Sequence, residues 1–202
     1  MKNPVTLLLF LAVFSFSSCI KSKGKNGNKE PKMEDFHTVT VNEEYQISLP
    51  KFMKGTTGLN EEASLQYQNL FKEAYTIIID EPKQDFVDVY KELDQYNEGI
   101  TLLQNYRKIQ LQAFTSTIQV SHQSEVKPMT IHGLDAESVE IDGHVEGIDE
   151  EISYFLTFVE GTENIYMIMA WTLKSKKEEH QKTFETIAQS FELLDQAAAA
   201  KV

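Results

Sequence analysis

The sequence predicts an α+β protein, an α/β/α sandwich around a mostly antiparallel sheet. Three observations carry that reading. First, residues 75–79, 154–159 and 165–171 are apolar on consecutive positions. Side chains alternate between the two faces of a strand, so such runs need cover on both sides. Second, the later two runs are separated only by Glu160-Gly161-Thr162-Glu163-Asn164, a hairpin-length turn carrying glycine, which makes them antiparallel neighbours. Third, stretches of helical spacing fall both between the strands and after the last one, enough to cover both faces of one sheet.

The elements follow in order. Residues 37–41 and 45–49 alternate apolar and polar, and Pro50 stops the second of these strands. Leu65 and Tyr67 mark a short strand. Phe86, Val89, Tyr90 and Leu93 repeat at helical spacing, with Pro82 placed where a first helical turn tolerates it. Leu102, Leu103, Tyr106, Ile109, Ala113 and Phe114 make a second helical stripe. Gly99 breaks the chain between the two, and Thr101 with Gln104 has capping-box spacing. Residues 118–122 alternate as a strand. Leu134, Ala136, Val139 and Ile141 change phase midway, which predicts a bulge. Ser175 and Glu178 again have capping-box spacing and open a final helix that buries Phe184, Ile187, Ala188 and Phe191.

The first residues read as an address. Lys2, an apolar run over 5–14, then Ser15-Phe16-Ser17-Ser18 and Cys19 give a positive start, an apolar middle too short to span a bilayer, and small residues before a cysteine. This order resembles a bacterial lipobox, with Phe16 standing where that pattern usually has leucine. The resemblance implies that Cys19 is alkylated by a diacylglyceryl group and becomes the first mature residue. Ordinary cleavage near 15–18, releasing a soluble protein with a free thiol, is the competing reading. Cys19 is the only cysteine in the chain, so an exported form has no internal disulfide partner for it. The organisation expected is a signal peptide over 1–18, a lipidated cysteine and flexible basic tether over 19–33, one domain over 34–195, and a frayed tail over 196–202. The tether carries five lysines against one glutamate, a composition that anionic head groups attract and that favours a periplasm-facing anchor in the envelope of a bacterium. From residue 34 onward, 13 basic residues stand against 30 acidic ones, a net charge of −17. Such a surface repels phosphate backbones and excludes nucleic acid as a partner.

Three stretches carry a resemblance to a known group: Tyr45-Gln46-Ile47-Ser48-Leu49-Pro50, the hairpin over 154–171, and the closing Ile187-Ala188-Gln189-Ser190-Phe191-Glu192-Leu193-Leu194. Together they resemble the PsbP-like group, which includes DcrB-type envelope lipoproteins. The resemblance implies an α/β/α sandwich, a final helix running through that last stretch, and mostly non-enzymatic roles as assembly factors, extrinsic subunits or binding modules. It carries no catalytic set to transfer.

The residues themselves point the same way. The five histidines lack a metal-ligand spacing, and His122 and His132 approach each other only if their strands are neighbours. Residues 142–151 are acidic and punctuated by glycine but lack an EF-hand register, so a solvated loop is expected there rather than a calcium site. Ser22 with Lys25 and Ser124 with Lys127 have Ser-x-x-Lys spacing without the companion motifs of that chemistry. No catalytic residue, metal ligand or cofactor is assigned. Tyr67, Tyr154, Tyr166 and Trp171 are the candidate ligand-contacting residues, set against core packing as their alternative use. The functional expectation is a membrane-tethered binding or assembly module, anchored in the bilayer through acylated Cys19 and presenting its acidic body to an envelope protein or a small ligand. An envelope hydrolase working through paired carboxylates, and a purely structural lipoprotein, are the alternatives.

Overall fold

The computed structural model describes residues 31–194; Cys19, most of the tether and the tail from 196 lie outside them. Five strands come first: β1 (Phe36–Val41), β2 (Tyr45–Pro50), β3 (Lys54–Gly55), β4 (Leu65–Asn69) and β5 (Ala74–Pro82). Two helices follow, α1 (Lys83–Glu92) and α2 (Leu102–Thr115). Then come β6 (Gln119–Gln123), β7 (Lys127–Ile131), β8 (Leu134–His144), β9 (Ile152–Glu160) and β10 (Asn164–Leu173). Helix α3 (Lys177–Gln189) and a two-residue strand, β11 (Glu192–Leu193), close the chain.

The large sheet has the order β3-β4-β5-β10-β9-β8-β6, with β7 also paired to β8, and a small sheet has the order β1-β2-β11. Every pairing in both is antiparallel. The doubly apolar strands do what their pattern demands. Ile77 and Ile79 of β5 and Met167 and Met169 of β10 face a core closed by α1 and α2 through Phe86, Tyr106 and Phe114. Ile78, Ile168 and Ala170 face the opposite core, closed by α3 through Phe184 and Ile187 and by the small sheet through Tyr45, Ile47 and Leu49. The result is the expected layered α+β arrangement with the large sheet in the middle.

Turn chemistry fits the sequence. Asn42 and Glu43 both adopt positive φ (50° and 56°) in the β1–β2 turn, the backbone hand that suits the twist of a tight hairpin. At the β9–β10 turn a Cβ on Gly161 would lie 2.6 Å from the Tyr166 ring and 2.9 Å from the Asn164 carbonyl, so only glycine lets the strands close there.

Four expectations fail in instructive ways. The phase change along β8 is not a bulge: its pairing with β9 is continuous from Ala136 to Gly143. Ala136 faces one core and Val139 and Ile141 the other, as any strand buried on both faces allows. The irregularity sits on the partner strand β6, between Val120 and His122. Ser175 does not cap α3. The helix begins from Lys176 with no side-chain cap, and the Ser175 amide is held by Glu150 across the loop at 2.9 Å. The last helix ends at Gln189, because Ser190 accepts the Ser48 amide at 2.9 Å and Phe191 packs against Tyr45 and Tyr166. Glu192 and Leu193 then add a strand to β2. The acidic stretch from 142 is not all loop: Asp142 to His144 complete β8, and Asp142 is only 5% exposed.

Candidate functional site

A groove of about 670 Å³ runs between the two sheets where their edges meet, lined by residues 39–42, 55–57 and 64–67. The elements around it explain its shape. Strand β1 is the edge of the small sheet, paired only with β2 among the described strands. Strand β3 is two residues long and pairs with Gln68 and Tyr67, so it leaves the start of β4 to a loop. That loop is stitched in place by the Gln66 side chain, whose Oε1 accepts the amides of Leu59 (2.8 Å) and Asn60 (3.0 Å) while its Nε2 donates to the Asn60 carbonyl (2.6 Å). Because side chains alternate along a strand, three consecutive β1 residues, 39–41, can line one groove together with Asn42 of the turn only if it follows the strand's edge rather than its face. All eleven lining residues are uncharged, in a domain of net charge −17. At one side of the groove the Ser64 hydroxyl bonds the Tyr45 hydroxyl at 2.7 Å, and burial pushes the Tyr45 phenol well above its ordinary pKa. This is a neutral slot beside a free strand edge, suited to main-chain hydrogen bonding.

Of the four aromatic residues singled out from the sequence, Tyr67 lines this groove and sits 6.0 Å from the His37 ring. The others lie elsewhere: Tyr154 and Trp171 are cross-strand partners with ring centroids 6.5 Å apart, and Tyr166 lies on the other side of the sheet. Tyr154, 3% exposed, stands edge-on to Phe114 at 4.7 Å in the α1/α2 core. Tyr166, 1% exposed, lies in the opposite core with its hydroxyl on the Glu44 carboxylate. Trp171 is half-buried and stacks on Tyr75 with centroids 5.2 Å apart and 8° between planes. His122 is exposed on β6, whereas His132 sits in the β7–β8 turn with Nδ1–H donating to the Phe191 carbonyl at 2.8 Å. Among the described residues no group of three or more His, Cys, Asp or Glu is arranged to hold a metal ion. The groove itself escaped sequence reading because its walls come from three separate segments. Its one local signal was the alternation of residues 37–41, which marks a strand with an exposed side.

Two charged clusters lie away from the groove. Asp142 accepts Ser153 Oγ at 2.7 Å and Lys177 Nζ at 2.9 Å, while Lys174 bridges Glu151 at 2.6 Å. Burial alone would raise the Asp142 pKa, but the bonds from Ser153 and Lys177 and the charge of Lys174 outweigh it and hold the carboxyl below its ordinary range. These ion pairs fasten the start of α3 to β8 and β9. Glu81, at the far end of β5 on the α1/α2 side, behaves oppositely. Burial, reinforced by the charges of Glu62 and Asp85, pushes its pKa up to about 7, so this carboxyl exchanges a proton near neutrality.

No family model matches the chain, and no curated protein matches it. Solved structures match it in shape. The cyanobacterial PsbP protein CyanoP of Synechocystis sp. PCC 6803 superposes with a TM-score of 0.51 at 12% identity, over 86% of this chain and 98% of that one. The fold is PsbP-like. Two further structures match more loosely. PA94, a protein of unknown function from Pseudomonas aeruginosa, gives a TM-score of 0.44 at 13% identity over 77% of this chain and 94% of its own. LpqN of Mycobacterium tuberculosis, involved in cell envelope biogenesis, gives 0.46 at 9% identity over 75% and 83%. At these identities the likeness is one of fold. Within the PsbP-like frame, the stretches that carried the sequence resemblance are β2, the β9–β10 hairpin and the Ser190-Phe191 exit from α3. No described helix is long and apolar enough to cross a membrane.

Proposed function

We propose that the protein is a non-enzymatic, lipid-anchored binding module of the bacterial cell envelope, held through acylated Cys19, which takes an extended segment of a protein partner along the outer edge of β1. The observation that carries this reading is the run of consecutive β1 residues, 39–41, continued by Asn42 of the turn and opening onto an uncharged groove. A strand edge offers unpaired amides and carbonyls, and an incoming chain satisfies them while its alternate side chains meet the groove walls. Tyr67 is the aromatic wall of that slot. The neutral lining removes the repulsion that the acidic surface would otherwise impose on an acidic partner segment.

Gly55 offers a clean way to close the groove. A Cβ there would sit 3.7 Å from the Tyr67 ring, at ordinary contact distance, so Gly55→Trp fills the slot without straining the backbone. The wild-type lipoprotein, recovered from detergent-solubilised envelopes, is expected to retain a protein that Gly55→Trp loses. Protection of the β1 amides from hydrogen exchange is expected in the retained complex only. Equal retention by both proteins, or unprotected β1 amides in the complex, would overturn the strand-edge reading.

A further inference from the structure

The most exposed apolar side chain in the described molecule is Phe71, 97% exposed, with Leu70 beside it at 61%. Both lie in the turn between β4 and β5, and that turn is tightly built. Asn69 Oδ1 accepts the Lys72 amide at 2.9 Å, and Asn69 Nδ2 donates to the Phe52 carbonyl at 2.6 Å. The Lys72 carbonyl accepts Nε2–H of the buried His180 on α3 at 3.0 Å. Lys72 Nζ lies 5.1 Å from the centre of the Phe52 ring. The loop is thus fastened to two other parts of the protein while its two apolar side chains point away from any core. A fixed turn that displays Leu and Phe to water is unfavourable unless something apolar meets it.

The same end of the molecule is where the chain enters the fold. Phe36 pairs with Pro50, the Lys51 amide bonds the Asp35 carbonyl at 2.8 Å, and Lys51 is followed by Phe52, which anchors the Phe71 turn. Met33, 61% exposed, sits at that entry. The opposite end is marked by Pro82 and the β9–β10 turn, since Pro82 pairs with Asn164. The nine residues of β5 separate the two ends by roughly 30 Å. Cys19 precedes Pro31 by twelve positions, so a chain fully extended between them reaches no further than about 40 Å. Four lysines stand around this end: Lys32, paired with Glu34 at 3.3 Å, Lys72, paired with Glu179 at 3.9 Å, and the exposed Lys51 and Lys54. Lys51 Nζ donates to a neutral acceptor, the Glu34 carbonyl, at 2.6 Å, so its charge is available to an anionic surface.

We infer that the turn at Leu70-Phe71 docks into the head-group region of an anionic bilayer, beside the point where the tether leaves the domain, and so fixes which end of the protein faces the membrane. The occupant is lipid rather than protein because three features coincide there: an aromatic tip of interfacial character, flanking lysines on an otherwise acidic body, and the entry of the segment that leads to Cys19. This inference rests on the lipid-anchor reading, and the test separates the two.

The full lipoprotein carrying Phe71→Trp is reconstituted in vesicles of phosphatidylethanolamine and phosphatidylglycerol, with the wild-type protein as the spectral blank for Trp171. Thr162→Trp, at the opposite end, is the control. Emission from position 71 is expected to shift to the blue and to be quenched by brominated lipid, while position 162 stays solvent-like and unquenched. Solvent-like, unquenched emission at 71 overturns the docking, and so does a shift that appears only when solubilised envelope proteins are added. The mass of the same preparation reports the anchor independently. Acyl increments on Cys19 with an unquenched position 71 leave the anchor standing and remove the docking; a missing acyl mass with a quenched position 71 does the reverse.

Discussion

At the scale of single residues, two carboxyl groups pull stability in opposite directions with pH. Glu81 binds its proton more tightly folded than unfolded, because burial and the neighbouring Glu62 and Asp85 disfavour its charge. Its contribution is therefore fully present below the ordinary glutamate range and is lost as pH rises through about 7. Glu81→Gln should raise stability at pH 8 by about 1–2 kcal/mol, after allowance for partial solvent screening. It should also flatten the melting temperature between pH 5 and 8, which thermal scans at several pH values would read. Asp142 has the reverse sign. Its lowered pKa means that the stability it supplies is present above the ordinary carboxylate range and disappears as pH falls through the lowered value. Asp142→Ala should cost about 2 kcal/mol at neutral pH, because it leaves Ser153 without its acceptor and Lys177 with Glu140 alone, at 3.2 Å. Lys174 and Lys177 can turn toward water, which keeps the loss below that of a fully enclosed pair. Urea denaturation at pH 7 and pH 3 would show the difference narrowing in acid.

At the scale of elements, the two stretches with capping-box spacing, of which only the first forms a box, make a paired experiment. Thr101 accepts the Gln104 amide and Gln104 Oε1 accepts the Thr101 amide, each at 3.2 Å, so Thr101→Ala should destabilise by about 1 kcal/mol. Ser175 has the same spacing to a glutamate but lies in a single 3-10 turn before α3, and Ser175→Ala should change the unfolding midpoint by less than the error of the measurement. Spacing alone could not tell these apart. The first box precedes a helix whose stripe starts at once with Leu102 and Leu103. The second follows a strand whose end is held by a remote residue, Glu150. The same contrast explains most of what was legible in the chain. Strands with consecutive apolar residues and helices with a clear stripe are local patterns and emerged where expected. β7 and β11 gave no such signal. The first runs through Lys127 and Pro128 and, among the described strands, pairs only with β8; the second is two residues long and exists because Phe191 is swallowed by the core.

At the scale of the whole molecule, the layers followed from simple cover: one large sheet, apolar on both faces, needs two coats, and the sequence supplies helical stripes for each. The groove was not legible because it is a relation between sheet edges rather than a property of any segment. Three of the four aromatic candidates, Tyr154, Tyr166 and Trp171, carry the same composition as a ligand wall but are drawn into packing by strand register. The proposed anchor belongs to this scale as well. Cys19→Ser is expected to move the protein from the membrane pellet to the soluble or unprocessed fraction, measured by fractionation and by the mass of the mature chain. Retention of a processed Cys19→Ser chain in the membrane would count against acylation.

The strand pairing between β2 and β11 has a kinetic implication. Tyr45 and Gln46, close to the start of the domain, pair on one side with β1 and on the other with Leu193 and Glu192 at its other extremity, and Phe191 completes the packing around Tyr45 and Tyr166. A nascent chain holds no finished version of the small sheet until nearly all of it has emerged, because its final contacts bridge almost the entire length. The small sheet thus closes late, only after the last turn of helix has arrived, whatever the large sheet has already built.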